Sequence, residues 1–144
     1  MRVPERGRRL RWIIILYSLL IFFWLGPEDN HTAPVILIGA GASVLLLMVW
    51  TLHRVGGKII PLRYIPLGLA FLGTVAGFGT SVLSALLMLF KNVRHSHIYP
   101  DYPPGLMAAV LERAPIWALI GGLIGLGSAT IILALHTTTE DKPT

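Results

Sequence analysis

The sequence predicts an all-α integral membrane protein: a four-transmembrane-helix bundle with both termini in the cytoplasm and a short interfacial helix before the fourth span. Three observations carry this expectation. Of 144 residues, 54% are hydrophobic and 13% charged, and the mean hydropathy of +0.71 is well above that of a water-soluble domain of this length. Four apolar runs carry no charge, and lysines and arginines between them gather on alternate sides. The longest stretch outside these runs, Lys91 to Ala114, has 24 residues, too few for a separate soluble domain. Residues 1–144 therefore read as one membrane domain, with spans at about 11–26, 34–53, 64–90 and 115–136.

The first run, Trp12 to Gly26, is short for a crossing unless Leu10 and a snorkelling Arg11 extend it. Its Arg-rich approach also fits a secretory signal. However, the run ends Phe22-Phe23-Trp24-Leu25-Gly26, with bulky side chains where a peptidase needs small ones, so it reads as an uncleaved signal-anchor helix. Pro27 and Glu28-Asp29-Asn30-His31 end it.

The second run, Pro34 to Leu52, opens on a proline where the first helical turn needs no donor. A basic turn from His53 to Arg63 leads to the third run, Tyr64 to Phe90. At about 1.5 Å per residue this run reaches near 40 Å, more than the hydrocarbon core, so it tilts or projects beyond the lipid. The outer loop 91–114 contains Pro100-Asp101-Tyr102-Pro103-Pro104-Gly105, a stiff turn. In residues 105–113, Leu106, Met107, Val110 and Leu111 recur at helical spacing opposite Glu112 and Arg113, the pattern of an interfacial helix. Pro115 separates it from the fourth span.

Orientation follows from charge. Arg2, Arg6, Arg8, Arg9, Arg11, Arg54, Lys58, Arg63 and Lys142 fall on one side, against Lys91, Arg94 and Arg113 on the other. Nine against three places both termini in the cytoplasm. Trp12, Trp50 and Tyr64 then mark the inner boundary, and Trp24, Tyr99, Tyr102 and Trp117 the outer one. The net charge of +5 is topogenic on this reading and does not point to nucleic acid.

Span three carries Gly73, Gly77, Ser81 and Ala85 at four-residue intervals, and span four Gly121, Gly125 and Ala129, flanked by Ala118 and Gly122. Such rows let backbones approach closely, and in lipid that contact replaces the missing hydrophobic drive. Gly39 and Ser43 form a weaker row in span two. Packing within one bundle is the leading reading, with self-association or a partner-subunit face next. Thr74, Thr80, Ser81 and Ser84 are expected to bond helix carbonyls.

No Asp, Glu, Lys, Arg or His lies in the middle of any run, which argues against pumps, proton-coupled carriers and voltage sensors. In size and span number the chain resembles small multidrug exporters, but these depend on a membrane-embedded carboxylate, and Glu28 lies outside the span. The same absence weakens a buried haem or pigment. His53 and His136, at the inner ends of spans two and four, read as solvated flanks. With no cysteine, thiolate metal sites and cysteine nucleophiles are ruled out. No nucleophile–base pairing or phosphate loop points to an enzyme.

The polar constellation is on the outer side: His95, His97 and Asp101, with His31, Glu28 and Asp29 from the other outer loop. Imidazole and carboxylate are ordinary zinc or copper ligands, although Arg94 disfavours a cation there. The leading expectation is a non-catalytic accessory or assembly subunit of a larger membrane protein complex, whose partners are the lipid bilayer and other membrane subunits or a second copy. The alternatives are a small homo-oligomeric channel or carrier running between spans three and four, and an outer-face metal, haem or pigment site on His95 and His97.

Overall fold

The structure is a computed structural model describing residues 7–27, 31–95 and 100–140. Five α-helices follow in order: α1 (Arg8–Trp24), α2 (Thr32–Val55), α3 (Ile65–His95), α4 (Pro104–Glu112) and α5 (Ala114–Glu140), with a 3₁₀ turn at Leu62–Tyr64 leading into α3. Among the described residues there is no strand. Three helical stretches are long and apolar enough to cross a membrane: Thr32–Val55, Leu62–His95 and Ala114–Leu135. The apolar part of α1, Leu10–Trp24, is shorter and reaches about 22 Å, against a hydrocarbon core of about 30 Å.

Each boundary has a local cause. Helix α2 ends with His53 and Arg54 in its last turn, where cations meet the negative end of the helix dipole. Gly57 follows at φ 77°, a left-handed conformation that favours glycine, and reverses the chain toward Leu62.

Helix α3 does not stop at Phe90, where the apolar run ends, but continues to His95. The loss of hydropathy at Phe90 marks a change in what the side chains meet, and the hydrogen-bonded helix runs past it. Helix α5 likewise begins at Ala114 and runs on to Glu140. Pro115 is its second residue, where a missing donor is tolerated, so one residue, Arg113, separates α4 from α5.

Helix α3 is the hub, since α2 and α5 both pack along it without forming an interface with each other. Among the described residues the three long helices thus form a trough with α3 as its floor. Against α5 the contact is backbone to backbone. A Cβ on Gly73 would strike the carbonyl of Gly121, one on Gly77 the carbonyl of Trp117, and one on Gly125 the carbonyl of Leu69.

Against α2, Gly39 fits Ser84 and Gly79 fits Ser43. Ser43 and Thr80 both donate to the carbonyl of Ala76, at 2.8 and 2.9 Å. Helix α1 is held mainly to α2, with Tyr17 donating to the carbonyl of Ile38 and its ring lying over Gly41.

The apolar core is small and sits at one end of the trough, where Val35, Met88, Tyr102 and Val110 are joined by Trp24, Ile36, Leu87, Leu106 and Met107. Most other large apolar side chains face outward, among them Phe23, Leu37, Phe71, Leu119 and Ile124, as lipid-facing residues do.

Because the α3–α5 seam has no room for a side chain, Gly77→Leu is expected to cost about 1–3 kcal/mol through overpacking. Gly127, which faces open space, should tolerate alanine with a change below about 1 kcal/mol. Denaturation midpoints of the two variants in detergent check this contrast.

Candidate functional site

Helix α3 is 31 residues long and reaches about 46 Å, so its last turns extend past the depth that the other helices share. Lys91 lies in this projection. It is fully buried, with its Nζ 4.6 Å from the centroid of the Trp24 ring and 5.7 Å from that of Tyr102. Two aromatic faces supply an ammonium with negative quadrupole where water is excluded, a contact worth about 2 kcal/mol when desolvated. The apolar stem of the lysine meanwhile packs like a hydrophobe.

The neighbouring Asn92 holds Tyr102 by both ends of its amide. Its Oδ1 accepts from the Tyr102 N–H at 2.9 Å, and its Nδ2 donates to the Tyr102 carbonyl at 2.7 Å. The Tyr102 hydroxyl donates to the carbonyl of His31 at 3.2 Å. One turn further along α3, His95 Nδ1 lies 2.6 Å from Asp101 Oδ2, both side chains being largely covered. The residue types that the proline-rich turn presents are therefore matched one by one to the end of α3. Pro103 then caps α4, its carbonyl accepting from Leu106 and Met107.

Of the residues expected here, His95, Asp101 and His31 are brought to this end of the protein. His97, Glu28 and Asp29, and with them Tyr99, lie outside the described residues. Among the described residues no three His, Asp or Glu side chains form a metal-holding group. Arg94 lies over the Phe22 ring at 5.9 Å. His53 is exposed at the end of α2, and the side chain of His136 lies outside the described set.

Lys91 was assigned to the outer loop by its charge, yet it belongs to α3 and is the most enclosed cation among the described residues. Trp24 and Tyr102, read as interfacial anchors, form its walls. The overshoot of the third run beyond the membrane thickness was the one signal of this arrangement.

The small residues occupy two seams. Gly73 and Gly77 meet Gly121, Trp117 and Ala118, and Gly125 meets Leu69 and Ala70. At these positions the two backbones are in direct contact. Ser81, Ala85 and Ala129 are buried on the same helices. Thr74, Thr80 and Ser84 bond carbonyls, those of Ala70, Ala76 and Val35, while the Ser81 hydroxyl has no partner among the described residues.

A second feature lies on the open side of the trough. With α3 as floor and α2 and α5 as walls, an apolar groove of about 550 Å³ runs from Thr51, Leu69 and Ser128 to Ala40, Thr80 and Trp117.

No known family, curated protein or solved structure matches this chain.

Asn92→Ala would leave the buried N–H and carbonyl of Tyr102 without their partner, at a cost of about 1–3 kcal/mol, whereas Tyr102→Phe removes one hydrogen bond worth about 0.5–1.5 kcal/mol. Detergent denaturation of both variants should rank them in that order, with cleavage by added protease at residues 100–103 rising in the same order.

Proposed function

We propose that this chain is a non-catalytic accessory or assembly subunit of a larger membrane protein complex, crossing the bilayer four times with both termini in the cytoplasm. The observation that carries the reading is the fixed turn at residues 100–103. Its Tyr102 is bonded through N–H and carbonyl to Asn92 of α3 and through its hydroxyl to His31, the residue before α2, and Asp101 is fastened to His95. A turn held this firmly presents the helix that follows in one orientation, which lowers the ordering cost of binding.

Helix α4 leaves Ala108, Leu111, Glu112 and Arg113 exposed, an apolar patch beside a pair of opposite charges, as at the centre and rim of a protein interface. An enzyme or carrier would need reactive or titrating groups facing a cleft, and the groove is lined by apolar side chains with the hydroxyls of Thr51, Thr80 and Ser128 and no ionisable group.

Helix α1, though shorter than the other three, completes the count under this proposal by drawing Leu10 and Arg11 into the interface. The basic turn at residues 56–63 is then cytoplasmic, and the Lys91 end faces the opposite compartment.

Two measurements test the proposal. Since the chain has no cysteine, single cysteines can be placed at Gly7, Lys58 and Gly105 and challenged with an impermeant maleimide in intact cells. Labelling is expected at 105 only, and labelling at 7 would remove the first crossing. In mild detergent the full chain should co-purify with a stoichiometric membrane partner. The paired changes Leu111→Arg and Arg113→Glu should release that partner while shifting the unfolding free energy by less than about 0.5 kcal/mol. Isolation of the native chain as a lone monomer overturns the subunit reading.

A further inference from the structure

We infer that the groove between α2 and α5 holds one acyl chain of an anionic phospholipid, with the headgroup at the basic turn. The groove is apolar along its length. On α2 its lining extends from Ala40 to Leu52, which at about 1.5 Å per residue is about 18 Å. One leaflet of the hydrocarbon core is about 15 Å deep, so the groove matches a single lipid tail, whereas a crossing helix from a partner needs about twice that depth.

The two ends of the groove differ as the ends of a lipid do. Thr80, at the middle of α3, and Trp117, in the first turn of α5, line the far end. At the near end, Thr51 and Leu69 are followed by cations: Arg54, three residues after Thr51 and so on the same helical face, then Lys58 and Arg63 in the turn. All three cations are exposed. The turn that follows this end of the groove therefore carries three positive charges and no acidic group, since residues 53–64 contain none, and its charge suits an anionic phosphate.

Between tail and phosphate a phospholipid carries ester carbonyls, which only accept hydrogen bonds. At that level Thr51 lines the groove, and its hydroxyl has no partner among the described residues. A change of χ1 to another staggered well turns that donor into the groove.

The assignment is independent of the subunit reading, which rests on the opposite end of the molecule. The full chain is reconstituted in nanodiscs of mixed phosphatidylglycerol and phosphatidylcholine, released, and weighed intact by native mass spectrometry. One retained phosphatidylglycerol per chain is expected, in preference to phosphatidylcholine.

Arg54→Gln and Lys58→Gln should each reduce retention about fivefold by removing one cation from the membrane surface, and Val44→Trp should abolish it by filling the groove. Val44 is exposed on the groove wall, so its replacement spares the helix seams. Circular dichroism and the detergent denaturation midpoint confirm that each variant is folded.

A photo-crosslinker at position 44 gives a second readout. An adduct of lipid mass supports the assignment, while a crosslink to a second copy or to another polypeptide overturns it. Equal retention of both lipids, or retention unaffected by Val44→Trp, overturns it as well.

Discussion

The close approach of backbones along α3 is the constraint on which the remaining structure depends. In lipid, burying leucine against leucine gains little, because the tails outside are as apolar as the side chains inside. What holds α5 to α3 is therefore dispersion between chains near enough to touch, and weak polar contact between carbonyls and Cα hydrogens. Gly73, Gly77, Gly121 and Gly125 make that approach possible. On the other flank of α3 the same closeness is reached by a different route. There Ser43 and Thr80 share the Ala76 carbonyl, so hydrogen bonds in a medium without water supplement the packing.

Since both neighbours bind to α3 and not to each other, the trough has an open side. A closed bundle would require small residues on a third seam, between α2 and α5, and the wall positions there carry Val44, Leu47, Ile120 and Ile124. These large side chains border the groove that lies between the two helices. The stripes that create tight packing on two seams thus also create a cavity on the third.

Periodicity made most of this visible in the sequence. Gly73, Gly77, Gly121 and Gly125 of the small-residue rows lie on the α3–α5 seam, because four-residue spacing fixes a helical face whatever the neighbour turns out to be. Gly39 and Ser43 also meet α3, though their complement Gly79 could not be paired with them from spacing alone. The extension of α3 to His95 and of α5 to Glu140 was hidden, because hydropathy reports the solvent around a helix and not its hydrogen bonds. Lys91 was hidden for a stronger reason. A charged residue at the end of an apolar run reads as solvated, and its burial depends on Trp24 and Tyr102, which are 67 residues before and 11 after it in the chain. No local pattern encodes that meeting.

Lys91 also shows why this end of the molecule can be rigid. An ammonium buried among apolar groups alone would be costly, and the same cation between two aromatic faces is stabilised. Trp24 belongs to α1, Lys91 to α3 and Tyr102 to the turn before α4, so one side chain touches three segments, alongside the Asn92–Tyr102, His95–Asp101 and Arg94–Phe22 contacts. The small apolar core of Val35, Met88 and Val110 closes around it. At the opposite end the cations of the basic turn remain exposed, and α2 and α3 are joined there through a turn at Gly56 and Gly57. The protein is consequently stiff where a partner would read its shape and open where a lipid would read its charge, and the length of α3 keeps those two surfaces apart.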